Sequence, residues 1–240
     1  MKKRYGKFQI RKHILNLLYP AKCPFCGTVT NKGICGTCRK SLPYVRQPRC
    51  MKCGKPIRRI EKEYCTDCAA IRHEFEEGRS LWVHKEIVCD AIYALKYKNL
   101  RINGDIFGKE LACYYGSYLK KHRIELLVPV PLHWKRRLKR GYNQAGIVAE
   151  ALSEWSGIPA DCSILKRVKC TEAQKNLDHR RRRRNVQGAF QAKKWVTVKN
   201  VALIDDIYTT GSTLDEAARI LKLAGAEKVY FLTISIGQGF

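Results

Sequence analysis

A chain of 240 residues, 45% of them apolar, can bury the core of one large domain or of a small module followed by a domain of ordinary size. Its 47 Lys and Arg against 21 Asp and Glu leave a formal charge of +26, which disfavours a basic partner and suits a polyanion. The apolar runs fall well short of the roughly 18 residues a membrane-crossing helix needs, so no spanning helix is expected.

The first twenty residues, MKKRYGKFQIRKHILNLLYP, begin like a secretion signal, but charges interrupt the stretch and no small-residue cleavage site follows. Ile10, Ile14, Leu15, Leu17 and Leu18 fit a short amphipathic helix. Docking of that helix on the protein's own body is the simpler outcome; attachment to a membrane surface is the alternative for so basic a segment. A cytoplasmic protein with reduced thiols is expected, with the inner face of the membrane as a second setting.

Eight of the 12 cysteines then form four Cys-x-x-Cys pairs: Cys23 and Cys26, Cys35 and Cys38, Cys50 and Cys53, Cys65 and Cys68. Two intervening residues let both thiolates of a knuckle face one ion, and two knuckles complete a tetrahedral zinc site. A reducing compartment argues against a disulfide framework, and a thioredoxin-like redox role would need one such motif rather than four. Two zinc ions are therefore expected. Sequential pairing closes the shorter loops, while a cross-braced arrangement of first with third and second with fourth uses the same residues. Cys89, Cys113 and Cys162 sit among apolar residues and are expected in the core. The helix and double ribbon account for residues 1–75, and an α/β domain for 76–240.

In that second part, helix patterns cover about 86–97, 105–121, 143–156 and 213–224, and strand patterns about 125–130, 162–168, 200–205 and 227–234. Alternation of this kind predicts a mostly parallel sheet flanked by helices, with ligands bound beyond the carboxyl ends of its strands. One segment stands out there: VALIDDIYTTGST, Val201 to Thr213. Four apolar residues form a buried strand, Asp205 and Asp206 end it, and Thr209, Thr210, Gly211, Ser212 and Thr213 turn into a helix. Backbone N–H groups and hydroxyls at a helix start make an anion pocket. The adjacent carboxylates suit a ligand that also brings hydroxyls, and a sugar phosphate has both.

This segment resembles the type I phosphoribosyltransferases, whose motif is four apolar residues, two acids and a Thr-Thr-Gly-x-Thr turn. The resemblance implies that Asp205 and Asp206 hold ribose hydroxyls of phosphoribosyl pyrophosphate and that Thr209 to Thr213 cradle its 5-phosphate. The strand ending Val128-Pro129-Val130-Pro131 leads into LHWKRRLKRGYNQA, where this fold binds pyrophosphate, so Arg140, Gly141, Tyr142 and Asn143 are the implied pyrophosphate loop. Cys170 to Phe190 occupies the place of the loop that closes over substrate. With the four cysteine pairs, the signatures Arg140-Gly141-Tyr142-Asn143-Gln144-Ala145 and Gln174…Leu177…Arg184-Asn185-Val186…Phe190 look like the ComF family of late competence proteins, over nearly the whole chain.

That resemblance implies a role in DNA uptake, with single-stranded DNA and the competence DNA-translocation machinery as partners. The charge points the same way. Lys135, Arg136, Arg137, Lys139 and Arg140 form one cluster, Arg180, Arg181, Arg182, Arg183 and Arg184 another, and the ribbon adds Tyr44, Arg49, Lys52, Arg58 and Tyr64. Each cluster flanks the expected pocket and equally suits pyrophosphate, which is the preferred role for Arg140. Three functions follow. The chain is a ligand-binding DNA-uptake factor, or an active transferase in which Mg²⁺ and Arg140 stabilise leaving pyrophosphate near Asp205 and Asp206, or a zinc-dependent nucleic-acid binder with a vestigial pocket. The intact motif disfavours the last. No residue identifies an acceptor base, and Lys2 follows Met1, so glutamine-dependent amination through an N-terminal cysteine is not expected.

Overall fold

A computed structural model describes residues 22–31, 33–59, 61–170 and 184–237. The expected N-terminal helix, most of the Cys170–Phe190 segment, and Arg180 to Arg183 lie outside the described residues. The chain divides into two compact units, Met1–Leu42 and Pro43–Phe240.

In the first unit a knuckle closed by the Lys22–Val29 bridge precedes helix α1, Gly36–Ser41. Cys35 caps that helix, its sulfur accepting from the Cys38 N–H at 3.4 Å. Ile34 and Leu42 are buried with Cys23 and Cys38, a core too small to hold a fold without a metal.

The larger unit begins with the second pair of knuckles, which includes the short helix α2, Thr66–Ala70. There follow β1 (Gly78–Val83), α3 (Glu86–Tyr97), α4 (Ile102–Lys121), β2 (Leu126–Pro129), α5 (Trp134–Arg140), α6 (Gln144–Ser156), β3 (Leu165–Arg167), β4 (Phe190–Ala192), β5 (Asn200–Tyr208), α7 (Ser212–Leu223) and β6 (Lys228–Ile236). The sheet has strand order β1-β6-β5-β2, all parallel, as the alternating pattern predicts. In α7 the apolar positions Leu214, Ala217, Ala218 and Leu221 recur at helical spacing and are all buried, while β5 and β6 read as near-continuous apolar runs because both sheet faces are covered.

Three expectations need correction, and one strand is absent from the sequence pattern. The strand pattern at 162–168 becomes β3, which pairs antiparallel with β4 in a separate two-stranded sheet, since three residues bounded by turns are too few to join the main one. Strand β1 escapes the pattern because it opens Gly78-Arg79-Ser80. Those residues are nonetheless buried, with Arg79 ion-paired to Glu77 and the Ser80 and Thr233 hydroxyls 2.6 Å apart. Cys113 and Cys162 are exposed, not core: Cys113 lies two positions from both Leu111 and Tyr115 and so faces away from the buried side of α4. Nor does the chain divide after residue 75. Cys50, Cys53 and Cys65 belong to the same apolar cluster as Phe75, Tyr208 and Phe231. The Gly78 N–H donates to the Lys52 carbonyl at 2.8 Å, which ties the knuckle to β1. Residues 43–45 also run along the outer edge of β1, with Val45 N–H donating to Leu81 O at 2.9 Å, so that edge of the sheet is covered.

Helices α4 and α6 cross in close contact because Gly104 and Gly108 have no side chain. A Cβ on Gly108 would stand 2.5 Å from the Ala151 methyl and 2.6 Å from the Val148 carbonyl oxygen. This contact sets the position of α6, and hence of Gln144 at its start.

Candidate functional site

Strand β5 runs three residues past its expected end, so Asp205 and Asp206 lie within its carboxyl half, level with Thr233 and its neighbours on β6. Alternation sends the two side chains to opposite faces. Asp206 is buried. Lys96 Nζ, from the last turn of α3, lies 2.9 Å from its Oδ2, and Gln144 Nε2 donates to the same oxygen at 2.7 Å. Arg140 Nη1 donates in turn to Gln144 Oε1, and its guanidinium stacks over Tyr97 at 5.0 Å. Arg140, Gln144, Asp206 and Lys96 thus form one connected chain. At Asp205, burial and then the neighbouring Asp206 carboxylate push the pKa up to about 7, against the opposing influence of the Asp206 N–H, Lys96 and Arg167.

Beyond β5 the hydroxyl-glycine turn is built as its composition suggests. Thr209 is exposed, while Thr210 and Ser212 are buried with their hydroxyl oxygens 2.9 Å apart. Gly211 caps α7 with φ +80, and a Cβ there would meet Tyr208 Oη at 2.7 Å, so the position requires glycine for both conformation and space. Ser212 and Thr213 open α7, and a helix start leaves its first-turn N–H groups without intrahelical acceptors. A cavity of about 620 Å³ reaches Ser212 and is lined also by Arg184, the one described member of the five-arginine run, and by Arg219.

The expected pyrophosphate residues divide by role. Gly141 ends α5 in the left-handed conformation, with φ +80. Tyr142 is buried and its hydroxyl donates to the Leu95 carbonyl, and Asn143 Nδ2 donates to Val130 O at 3.1 Å. Tyr142 and Asn143 therefore hold the loop in place. Reading the sequence assigns no role to Lys96 or Gln144. Lys96 stands more than a hundred residues before Asp206, and no local pattern links the two.

The cysteines meet in two groups, Cys23, Cys26, Cys35 and Cys38, and Cys50, Cys53, Cys65 and Cys68, with the ligand atoms of each within 4.8 Å of one another. The first Cys-x-x-Cys pair joins the second, and the third joins the fourth. Cys26 and Cys35 sulfurs lie 3.6 Å apart, and Cys53 and Cys65 sulfurs 3.7 Å. A zinc–sulfur bond of about 2.3 Å in a tetrahedron requires sulfur edges of about 3.8 Å, so both sets fit a zinc ion. Hydrogen bonds from Thr28, then a smaller contribution from Cys38, bring the Cys26 thiol down to about 6. At the second set, Lys55 is buried and its ammonium lies 2.6 Å from Asp67. Burial acts to lower the Lys55 pKa, but Asp67, Cys53 and Cys65 outweigh it and hold it above the ordinary lysine value.

A parallel α/β domain with paired aspartates before a Thr-Thr-Gly turn, together with two four-cysteine clusters, defines an α/β protein with a double zinc ribbon. Residues 14–69 match the double zinc ribbon domain family. The chain is 30% identical over 207 residues to competence protein F of Haemophilus influenzae, covering 84% of this chain and 89% of that one. It is 28% identical to the DNA utilization protein YhgH of Escherichia coli K12 over 84% of this chain and 96% of the relative, and 27% identical to competence protein ComFC of Bacillus subtilis over 78% and 77%. Among solved structures it is similar to a purine phosphoribosyltransferase from Pyrococcus horikoshii, with 18% identity, a TM-score of 0.35, and coverage of 54% of this chain and 72% of that chain. The chain belongs to the ComF family of competence proteins. Among the described residues, no helix is long and apolar enough to cross a membrane.

Proposed function

We propose that this chain binds phosphoribosyl pyrophosphate with Mg²⁺ at the β5–α7 turn and serves DNA uptake in the cytoplasm by handling single-stranded DNA. The observation that carries the ligand is the pairing of two carboxylates of different character with a hydroxyl-glycine turn at a helix start. Asp206 is held by Lys96 and Gln144. Asp205 Oδ1 accepts from the Asp206 N–H at 2.8 Å, and its carboxylate would accept from a sugar hydroxyl, while the turn would offer N–H and O–H donors to a phosphate. Mg²⁺ would neutralise the pyrophosphate of the bound ligand, with Arg140 as the expected protein cation. The DNA reading rests on the +26 charge and on relatives named for competence and DNA utilization. The competence translocation machinery is the corresponding protein partner.

Calorimetry with phosphoribosyl pyrophosphate and Mg²⁺ tests the ligand. Asp205→Ala and Asp206→Ala should each weaken binding at least tenfold while leaving the chain folded. Unchanged affinity in both variants, or no heat with the unmodified protein, would reject the sugar-phosphate assignment.

A further inference from the structure

The aromatic side chains around α5 are exposed in a way that folding does not require. Trp134 at the start of the helix is 56% exposed, Leu138 in its middle 75%, and Tyr97, which packs under Arg140 at its far end, 61%. Tyr93, one turn before Tyr97, is also exposed, and the two rings lie 4.8 Å apart. A cation accompanies the first of these rings, with Lys135 5.6 Å over Trp134, and Arg101 covers the buried Tyr142 ring at 4.6 Å. Beside the helix opens a cavity of about 630 Å³, with Trp134 and Tyr142 in its wall and five cations, Arg101, Arg137, Lys166, Arg167 and Lys193, against two carboxylates, Asp105 and Glu150. In all, rings stand at both ends of a helix roughly 10 Å long whose remaining residues are mostly basic.

We infer that this face is the docking surface for single-stranded DNA: bases stack on Trp134 and on the Tyr93–Tyr97 pair, while Lys135 and Arg137 neutralise the backbone between them. This inference rests on the proposed DNA-handling role and places it apart from the five-arginine run. Charge complementarity selects a polyanion, and exposed ring faces beside cations select one with unstacked bases, because a duplex presents no base face to them. A flat anionic membrane would also attract a basic, aromatic surface. The vesicle arm of the experiment below separates that occupant from a single strand.

Zinc-loaded full-length protein should be titrated against a fluorescent oligo-dT roughly 20 nucleotides long, above the ~4–16 nucleotide footprints of comparable surfaces. Trp134→Ala and Tyr97→Ala should each weaken binding about 5- to 100-fold, the range for loss of one stacked base, with the salt slope unchanged because no charge is removed. Trp155→Ala is the matched control. Trp155 is also 56% exposed, beneath Lys109 at 4.1 Å, but it lies at the far end of α6, and its removal should leave affinity unchanged. If the unmodified protein binds and all three variants match it, the surface lies elsewhere and the inference fails while the DNA role stands. If the unmodified protein does not bind the strand, the DNA role fails and this inference with it. Loss of binding to phosphatidylserine vesicles in Trp134→Ala, with DNA affinity intact, would assign the face to a membrane and overturn the inference.

Discussion

Two neighbouring aspartates in this chain differ because their surroundings differ. Asp206 meets Lys96 and Gln144 on one oxygen, whereas Asp205 is pushed up to about 7 by burial and by Asp206 itself. An unfolded aspartate titrates near 3.9. The native state therefore disfavours the charged form of Asp205. Its contribution to stability is fully present below about pH 4 and is lost as pH rises to about 7. In thermal melts of the ligand-free protein, Asp205→Asn should gain stability relative to the unmodified chain as pH goes from 6 to 8. A constant difference across that window would contradict the raised value. Sugar hydroxyls donate to the ionised form, so ligand affinity should rise over the same window in the unmodified chain and stay flatter in Asp205→Asn. Lys96→Met leaves Asp206 buried with only the Gln144 amide, and should destabilise by about 3 kcal/mol, read from denaturant unfolding.

The second pair of knuckles behaves as part of the sheet's core. Phe75 packs edge-on against both Tyr208 and Phe231, Tyr208 and Phe231 stack at 5.1 Å, and Tyr208 in turn fills the space beside Gly211. His73 Nδ1 lies 2.6 Å from Asp215 in the first turn of α7, and the Glu74 N–H donates to the same carboxylate at 3.0 Å. The segment leaving the cysteine cluster is thus tied to the helix that opens at the hydroxyl-glycine turn. Cys53→Ser should lower the melting temperature of the whole larger unit and weaken phosphoribosyl pyrophosphate binding with it. Cys26→Ser lies in the separate Met1–Leu42 unit and should leave both nearly unchanged. Equal melting curves for the two variants would show that the second cluster folds independently. Gly108→Val tests the other contact that positions the site. Overpacking against Ala151 and Val148 should cost about 1–3 kcal/mol and displace Gln144 from Asp206.

Across the whole molecule, two numbers are open to direct measurement. Metal analysis of untagged protein should find two zinc ions per chain, one for each four-cysteine cluster, and a single ion would contradict the geometry of one of them. Single-strand binding should be indifferent to base sequence and steeply salt-dependent, since a charge of +26 acts mainly on phosphates. Neutralising Z phosphates gives a log–log slope of about −0.7Z. Reversing the charges of Lys135 and Arg137 should flatten that slope, and a slope that stays the same would place the phosphate contacts elsewhere.

Much of this was legible in the sequence because it depends on local spacing. Cys-x-x-Cys sets the reach of a knuckle, and apolar periodicity in α3, α6 and α7 gives their positions to within a residue or two. The run Val201 to Thr213 contains both strand and turn, so the paired aspartates and the hydroxyl-glycine turn follow from thirteen consecutive residues. What depended on contacts distant in the chain was not legible. Strand β1 is buried despite Gly78, Arg79 and Ser80 because Glu77, Tyr118 and Thr233 receive its polar groups there. Lys96 and Gln144 converge on Asp206 only through the packing of α3 and α6, and periodicity carries no signal for a meeting between residues so far apart. The two cysteine clusters look alike in spacing, yet one sits in a small separate unit and the other in the core of the sheet. Spacing fixes the ligands a zinc ion can gather, but which apolar side chains close around them is decided by the tertiary fold.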